Sequence, residues 1–305
     1  MATQKEVRNR IASVKNIHKI TRAMEMVAAA RLRRAEQRID NMRPYAQAIR
    51  KMTQQVAEAA QGIPNIDLLA ERENVKKVGI ILVTGDRGLA GAFNTNIIRE
   101  GIRLKREFAD DGKDVSFAVV GRRGNSTLTF RGEDVANSYI GFTDRPAFTD
   151  ARDISRDVTS AYVDADLDRV ELVYNRYVSP LTQYVRRQTL LPLSQAEVFG
   201  EGIPEEEEDD SELAEAHRKA YWDYEPEPDK LLPMLFEEYV DLSVYRALLE
   251  SSASELGARM TAMRNAAENA QDMIGDLTLA MNRARQAEIT QEILEVVGGA
   301  EALGG

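Results

Sequence analysis

Along the last third of the chain, apolar or small side chains fall at Leu235, Tyr239, Leu242, Tyr245, Leu249, Ser252, Leu256, Met260, Met263, Ala267, Ala270, Ile274, Leu277, Met281 and Ala284. The steps are of three and four, which is one stripe of a helix running from about Asp229 to Val297. No proline follows Pro233, and Gly257 and Gly275 each cost about 1 kcal/mol against alanine, too little to end it. Gly298 and Gly299 are the first stop signal. At about 1.5 Å per residue this helix is on the order of 100 Å long, more than a globular core can cover, so its stripe needs an elongated partner. The successive four-residue steps Ser252, Leu256 and Met260 depart from a strict heptad and predict a locally relaxed supercoil.

The partner is legible at the other end. From about Lys5 to Ala60 a second stripe runs through Val7, Ile11, Val14, His18, Thr21, Met24, Ala28, Leu32, Ala35, Ile39, Met42, Ala46, Ile49, Val56 and Ala59. Pro44 lies inside it and is expected to kink or loosen the helix. Two long helices at opposite ends, with a compact region between them, predict an antiparallel coiled coil. Between Ala23 and Ala30 the text AMEMVAAA is apolar around nearly the whole circumference, which implies contact on more than one side. Arg31, Arg33, Arg34 and Arg38 follow directly. They are a solvated basic face or, beside an apolar collar, a cationic ring for an acidic partner.

Between the helices the period changes from 3.6 to that of buried parallel strands. Strands are expected over Lys76 to Asp86, Val115 to Gly121, Val135 to Phe142 and Glu171 to Tyr177, with an edge strand near Thr189 to Leu193 because of Pro192. Helices are expected over Ala90 to Phe108, Asn125 to Phe130 and Thr149 to Val163. The fold class is α+β: a long antiparallel coiled coil of N- and C-terminal helices with an inserted Rossmann-like α/β domain. The divisions are 1–75 for the first helix, 76–198 for the α/β domain, 199–228 for an acidic loop and foot, and 229–305 for the last helix.

The loop GDRGLAG (Gly85 to Gly91) is where phosphate chemistry would sit, and it fails both tests. A P-loop requires glycine then lysine where Ala90 and Gly91 stand, and Arg87 occupies the second glycine position of a dinucleotide fingerprint. No catalytic set or cofactor site can be nominated. Two histidines, His18 and His217, and no cysteine exclude thiolate zinc sites, disulfides and cysteine nucleophiles. Low aromatic content, 6%, accords with rods in place of a large core, and a formal charge of -10 argues against nucleic acid. No stretch approaches a membrane span.

Charge is segregated along the chain. Glu201 to Glu215 is an acidic run expected to be a solvated loop, and Tyr221 to Lys230 (YWDYEPEPDK) concentrates Trp222, Tyr224 and Glu225 as a lid or docking foot before the last helix. At the far end, Ile293, Leu294, Val296 and Val297 do not fit one stripe and cover more than half the circumference. Nothing is left in the chain to bury them, so they are expected to fit inside another protein or to aggregate. Below them lies a polar belt that includes Arg283, Arg285, Gln286, Glu288, Thr290, Gln291 and Glu292.

NRIASVKNIHKITRAMEMVAAARLRRA (Asn9 to Ala35) and ARQAEITQEILEVVGGAEAL (Ala284 to Leu303) resemble the terminal signatures of the gamma subunit of F-type ATP synthases. LVTGDRGLAGAFN (Leu82 to Asn94) and VYNRYVSPLTQ (Val173 to Gln183) are similar to further stretches of that family. The resemblance implies a non-catalytic rotor without cofactor, in a proton-translocating complex at the cytoplasmic face of a bacterial plasma membrane. It implies a shaft inside a ring of three alpha and three beta subunits, with the lower end on the epsilon subunit and the c-ring. Ile293, Leu294, Val296 and Val297 would turn in a nonpolar sleeve. Arg285, Gln286, Thr290 and Glu292, with Met24 and Arg259, match positions facing the beta subunits, and Trp222, Tyr224 and Glu225 would form the foot. A non-rotating coiled-coil scaffold and a nucleotide-binding α/β enzyme are the alternatives.

Overall fold

A computed structural model of the chain describes residues 4–60, 66–194 and 225–303, with side chains to 298. The acidic run and the foot residues Trp222 and Tyr224 lie outside the described residues. Helix α1 spans Gln4–Ala59 and runs unbroken through Pro44. Pro44 and Asp40 are exposed, so the carbonyl that the proline ring displaces lies on the solvent side.

After a 3-10 turn at Asp67–Leu69, the domain alternates β1 (Lys77–Val83), α2 (Phe93–Asp110), β2 (Asp114–Val120), α3 (Arg122–Phe130), β3 (Val135–Tyr139), α4 (Phe148–Val163) and β4 (Arg169–Ser179). Strand β5 (Thr182–Leu191) follows, and α5 (Pro228–Leu303) closes the chain. The sheet order is β3-β2-β1-β4-β5, parallel except for the antiparallel β4–β5 pair.

Several boundaries shift by a few residues from expectation, and three of the differences bear on the fold. β5 begins at Thr182, well before Thr189, and pairs along β4 from Ser179↔Thr182 to Val170↔Leu191. Its run of half-buried polar residues hides the strand from a hydrophobic count, and Pro192 lies just past its end. α3 starts at Arg122 because a carboxylate, described below, receives its first N–H. α5 passes through Gly298 and Gly299 to Leu303.

Two apolar clusters cover the two faces of the sheet. Ile80, Leu82, Phe117, Val119 and Val173 pack against α2 and Leu128 of α3. On the other face Ile81, Val83, Val120, Leu172 and Tyr174 pack against α4 and against Phe236, Val240, Val244 and Leu248 of α5. Alternation along β1 sends successive side chains to opposite faces, which is why nearly all of its residues are buried. The long helix α5 is therefore both a covering layer of the sheet and half of the coiled coil.

The seam with α1 is built by Met42, Leu242 and Leu249 low down and by Ala28, Leu32, Ala35, Ala253, Leu256 and Met260 above. Residues 247–257 are buried all round, between α1 on one side and the sheet on the other. This double burial explains ESSASELG (Glu250 to Gly257). Serine, alanine and glycine let two surfaces approach one helix where larger residues would separate them.

Candidate functional site

Where α5 passes the ends of the strands, four elements grip it. Ser254 Oγ donates to the Asn175 carbonyl at 3.2 Å, and Ser252 Oγ to the Asp144 carbonyl at 3.4 Å. A Cβ on Gly257 would lie 2.9 Å from Gln183 Nε2 and 3.1 Å from the Pro180 carbonyl oxygen, so the β4–β5 hairpin rests directly on the helix backbone. Tyr177 Oη donates to Glu36 of α1 at 2.5 Å. Burial and the neighbouring Glu36 both push the Tyr177 phenol up. Asp144 takes Arg87 at 3.2 Å and Arg31 of α1 at 3.3 Å. These contacts form a clamp that ties both helices of the shaft to the domain.

The loop Gly85 to Gly91 is part of that clamp. Asp86 accepts from the N–H groups of Arg122, Gly141 and Thr143, at 3.0, 2.9 and 3.2 Å, and from Thr143 Oγ1 at 3.0 Å. Burial works to raise its pKa, but these donors outweigh it and hold the carboxyl below its ordinary value. The N-terminus of α3 is thus occupied by a carboxylate of the chain itself, and the glycine loop serves as a structural corner.

Arg259 donates to the Gly88 carbonyl at 3.3 Å and pairs with Glu255, with side-chain exposures of 10% and 2%. Burial raises the Glu255 pKa, with smaller contributions from Asp144 and Asp86, while Arg259 opposes the rise. A Cβ on Gly85 would meet the Glu255 carboxyl carbon at 2.7 Å. Arg259, which the resemblance places against a partner, is engaged inside the chain as a brace between shaft and loop.

Above the clamp the picture inverts. By the register that Glu25 and Arg264 set, Gln4 at the start of α1 falls beside Arg285. From Arg285 to Gly298 every residue is exposed. Arg285, Gln286, Thr290 and Glu292 lie together on this bare end, where Thr290 Oγ1 donates to the Gln286 carbonyl at 2.8 Å. Ile293, Leu294, Val296 and Val297 are 57%, 65%, 72% and 51% exposed. Met24 is half-buried on α1 and stands apart from the belt, while Met26 and Val27 of the collar face solvent. Glu225 is exposed just ahead of α5. The periodicity missed Glu25, Asp86, Asp144, Glu255 and the Tyr177–Glu36 pair. The one signal was a glutamate inside an apolar run.

A two-helix shaft that shares one helix with a parallel-sheet domain, clamped at its waist and bare at one apolar end, defines a force-bearing stalk protein. The ATP synthase family model matches residues 3–303. The ATP synthase gamma chain of Legionella pneumophila (strain Corby) is 40% identical over 305 residues, spanning 99% of this chain and 100% of the relative. That of Synechococcus elongatus is 40% identical over 319 residues, spanning 100% of each.

Among solved structures, the Tetrahymena thermophila mitochondrial ATP synthase central stalk and c-ring matches with a TM-score of 0.59 at 29% identity, covering 81% of this chain and 99% of that one. A chain of the Euglena gracilis mitochondrial ATP synthase shares the fold, with a TM-score of 0.67 at 20% identity over 98% of this chain and 94% of that one. This chain belongs to the ATP synthase gamma-chain family, the non-catalytic rotor subunits of the central stalk. Among the described residues no helix is long and apolar enough to cross a membrane.

Proposed function

We propose that one copy of this chain is the axle of a ring of three alpha and three beta subunits, with its foot on the epsilon subunit and the c-ring. The complex sits at the cytoplasmic face of a bacterial plasma membrane, and the chain is peripheral to that membrane. The observation that carries this reading is the run from Arg285 to Gly298, in which an apolar tip lies beyond Gln4 of α1 and finds no cover among the described residues. A nonpolar sleeve in the ring fits such a tip, because few directional bonds exist there to hold it at one angle.

Below the tip, the belt of Arg285, Gln286, Thr290 and Glu292 and the half-buried Met24 face the beta subunits. Arg259 supports them as a brace. Arg33 and Arg34, both exposed, face an acidic surface. The segment 199–228 with Trp222, Tyr224 and Glu225 is the foot, and 76–198 is the body that receives torque and passes it through the clamp.

An off-axis rod makes different contacts with each of three equivalent catalytic subunits and so biases each toward a different nucleotide affinity. Driving such an equilibrium nearly to completion takes about 5.5 kcal/mol of differential contact. One charge crossing 100 mV supplies about 2.3 kcal/mol, so several ions must act through one stiff element. A shaft clamped to its body at the waist is such an element.

The test is co-purification of tagged chain from a membrane extract, wild type beside Arg33→Glu/Arg34→Glu. The wild type is expected at one copy per three of each larger subunit, and the double variant is expected to retain assembly with lowered coupled activity. Recovery of the wild type without the larger subunits would refute the axle reading. Unaltered coupling in the variant would leave the arginines as solvated surface.

A further inference from the structure

Just above the clamp, where the shaft leaves the domain, one acidic side chain lies in the seam between the helices. Glu25 is 7% exposed. Its two oxygens accept from Arg22 of the same helix at 2.6 Å and from Arg264 of α5 at 3.1 Å. Arg264 reaches in from the solvent edge, with its side chain 46% exposed. Burial works to raise the Glu25 pKa, yet the two arginines hold it below its ordinary value, so it is charged where it lies.

The surroundings explain why a charge is useful there. The neighbouring seam residues are Thr21 and Ala28 on α1 and Met260, Met263, Ala267 and Ala270 on α5, all buried. All but the two methionines are small, and methionine is unbranched and adaptable, so packing alone separates one register from the next only weakly. Charge does not share that weakness. Between Arg259 and Arg283, α5 carries no basic residue except Arg264. A slip of one turn would set Met260 or Thr261, or in the other direction Ala267 or Glu268, opposite Glu25. The buried carboxylate would then lose its cross-helix partner or face a like charge, and a single buried polar position is a well-attested device for fixing register.

We propose that Glu25, held by Arg22 and Arg264, is a positioning residue that sets the register and roll of α1 against α5 in the part of the shaft projecting past the domain. Rotation of α5 then carries α1 with it, a consequence that rests on the rotor reading. The register itself does not.

The chain has no cysteine, so cysteines introduced at the exposed positions Arg8 and Asn265 accept spin labels without background. Distances are measured by pulsed electron spin resonance on the full chain, and a one-turn slip moves the labels by about 5 Å along the axis. One narrow distance is expected for the parent protein. A displaced or broadened distribution is expected for Glu25→Ala and for Arg264→Met, and a return to one narrow distance for the charge exchange Glu25→Arg with Arg22→Glu and Arg264→Glu. Parent-like distributions in both single variants overturn the proposal, as does failure of the exchange to restore order.

Ion pumping per ATP hydrolysed, measured in reconstituted complex, separates the two claims. A coupling loss in Glu25→Ala with unaltered distances overturns the positioning role. Altered distances with unaltered coupling support it and count against the rotor reading.

Discussion

Replacing Arg259 by methionine removes the cation from the Glu255 pair while keeping its aliphatic bulk. The carboxylate is left 2% exposed, against the Gly85 backbone and near Asp86 and Asp144, all of which disfavour a charge without a counter-ion. Breaking a buried pair from one side costs about 3–5 kcal/mol, a large part of the roughly 5–15 kcal/mol by which a domain is stable. The pH dependence has a definite sign. Glu255 has a folded pKa raised above its ordinary 4.5, so its protonated form stabilises the fold below that value and this contribution is lost as pH rises through the folded pKa. Without Arg259 nothing opposes the rise, and the window extends upward.

The deficit of Arg259→Met is therefore expected to be largest near neutral pH and to shrink as pH falls toward the ordinary 4.5 of the carboxyl. Arg259→Met combined with Glu255→Gln is expected to recover most of the loss and to be flat with pH over that range. Urea unfolding of the full chain at several pH values, followed by circular dichroism, measures all of this. A deficit that ignores pH, or that Glu255→Gln fails to relieve, would refute the argument that an unpaired buried charge is the cause.

Three further perturbations probe other parts of the molecule. Gly121 sits at φ +94, where a Cβ would lie 2.3 Å from the Thr84 carbonyl oxygen, so Gly121→Ala is expected to cost about 3 kcal/mol or more, and an unchanged melting temperature would contradict the clash. Asp86→Ala strands the N–H groups of Arg122, Gly141 and Thr143 and is expected to cost about 2 kcal/mol at neutral pH. Because the folded pKa of Asp86 lies below its ordinary 3.8, its contribution is present above that value and lost as pH falls through the folded one. The variant's deficit should therefore narrow in acid titration, and a constant gap would be contrary. Truncation after Glu292 removes the exposed side chains of the bare end of α5, so the free subunit should keep its melting temperature while assembly of the complex weakens. A destabilised free subunit would show that the tip has an internal partner.

The two ends of the chain were legible as partners because a helix writes its buried face every three or four residues, and both stripes are long enough to be unambiguous. The strands β1, β2 and β4 were legible for the same local reason, as was the bare tip, where apolar residues leave the stripe. β5 was placed too late in the chain because half-buried polar residues carry no strong period. Arg259 was placed at a partner surface, but its side chain turns inward to Glu255 and Gly88.

Periodicity records one buried face of an element and is silent about a second. The serines of α5 therefore fell on or off the stripe with no sign that the sheet would cover them too. Which carboxylate meets which cation was also beyond the sequence. Glu25 and Arg264 lie 239 residues apart, and Asp86 gathers donors from two separate loops. Such pairings exist only once the helices and sheet have packed, because packing brings remote side chains within hydrogen-bonding distance and removes the water that would otherwise serve them.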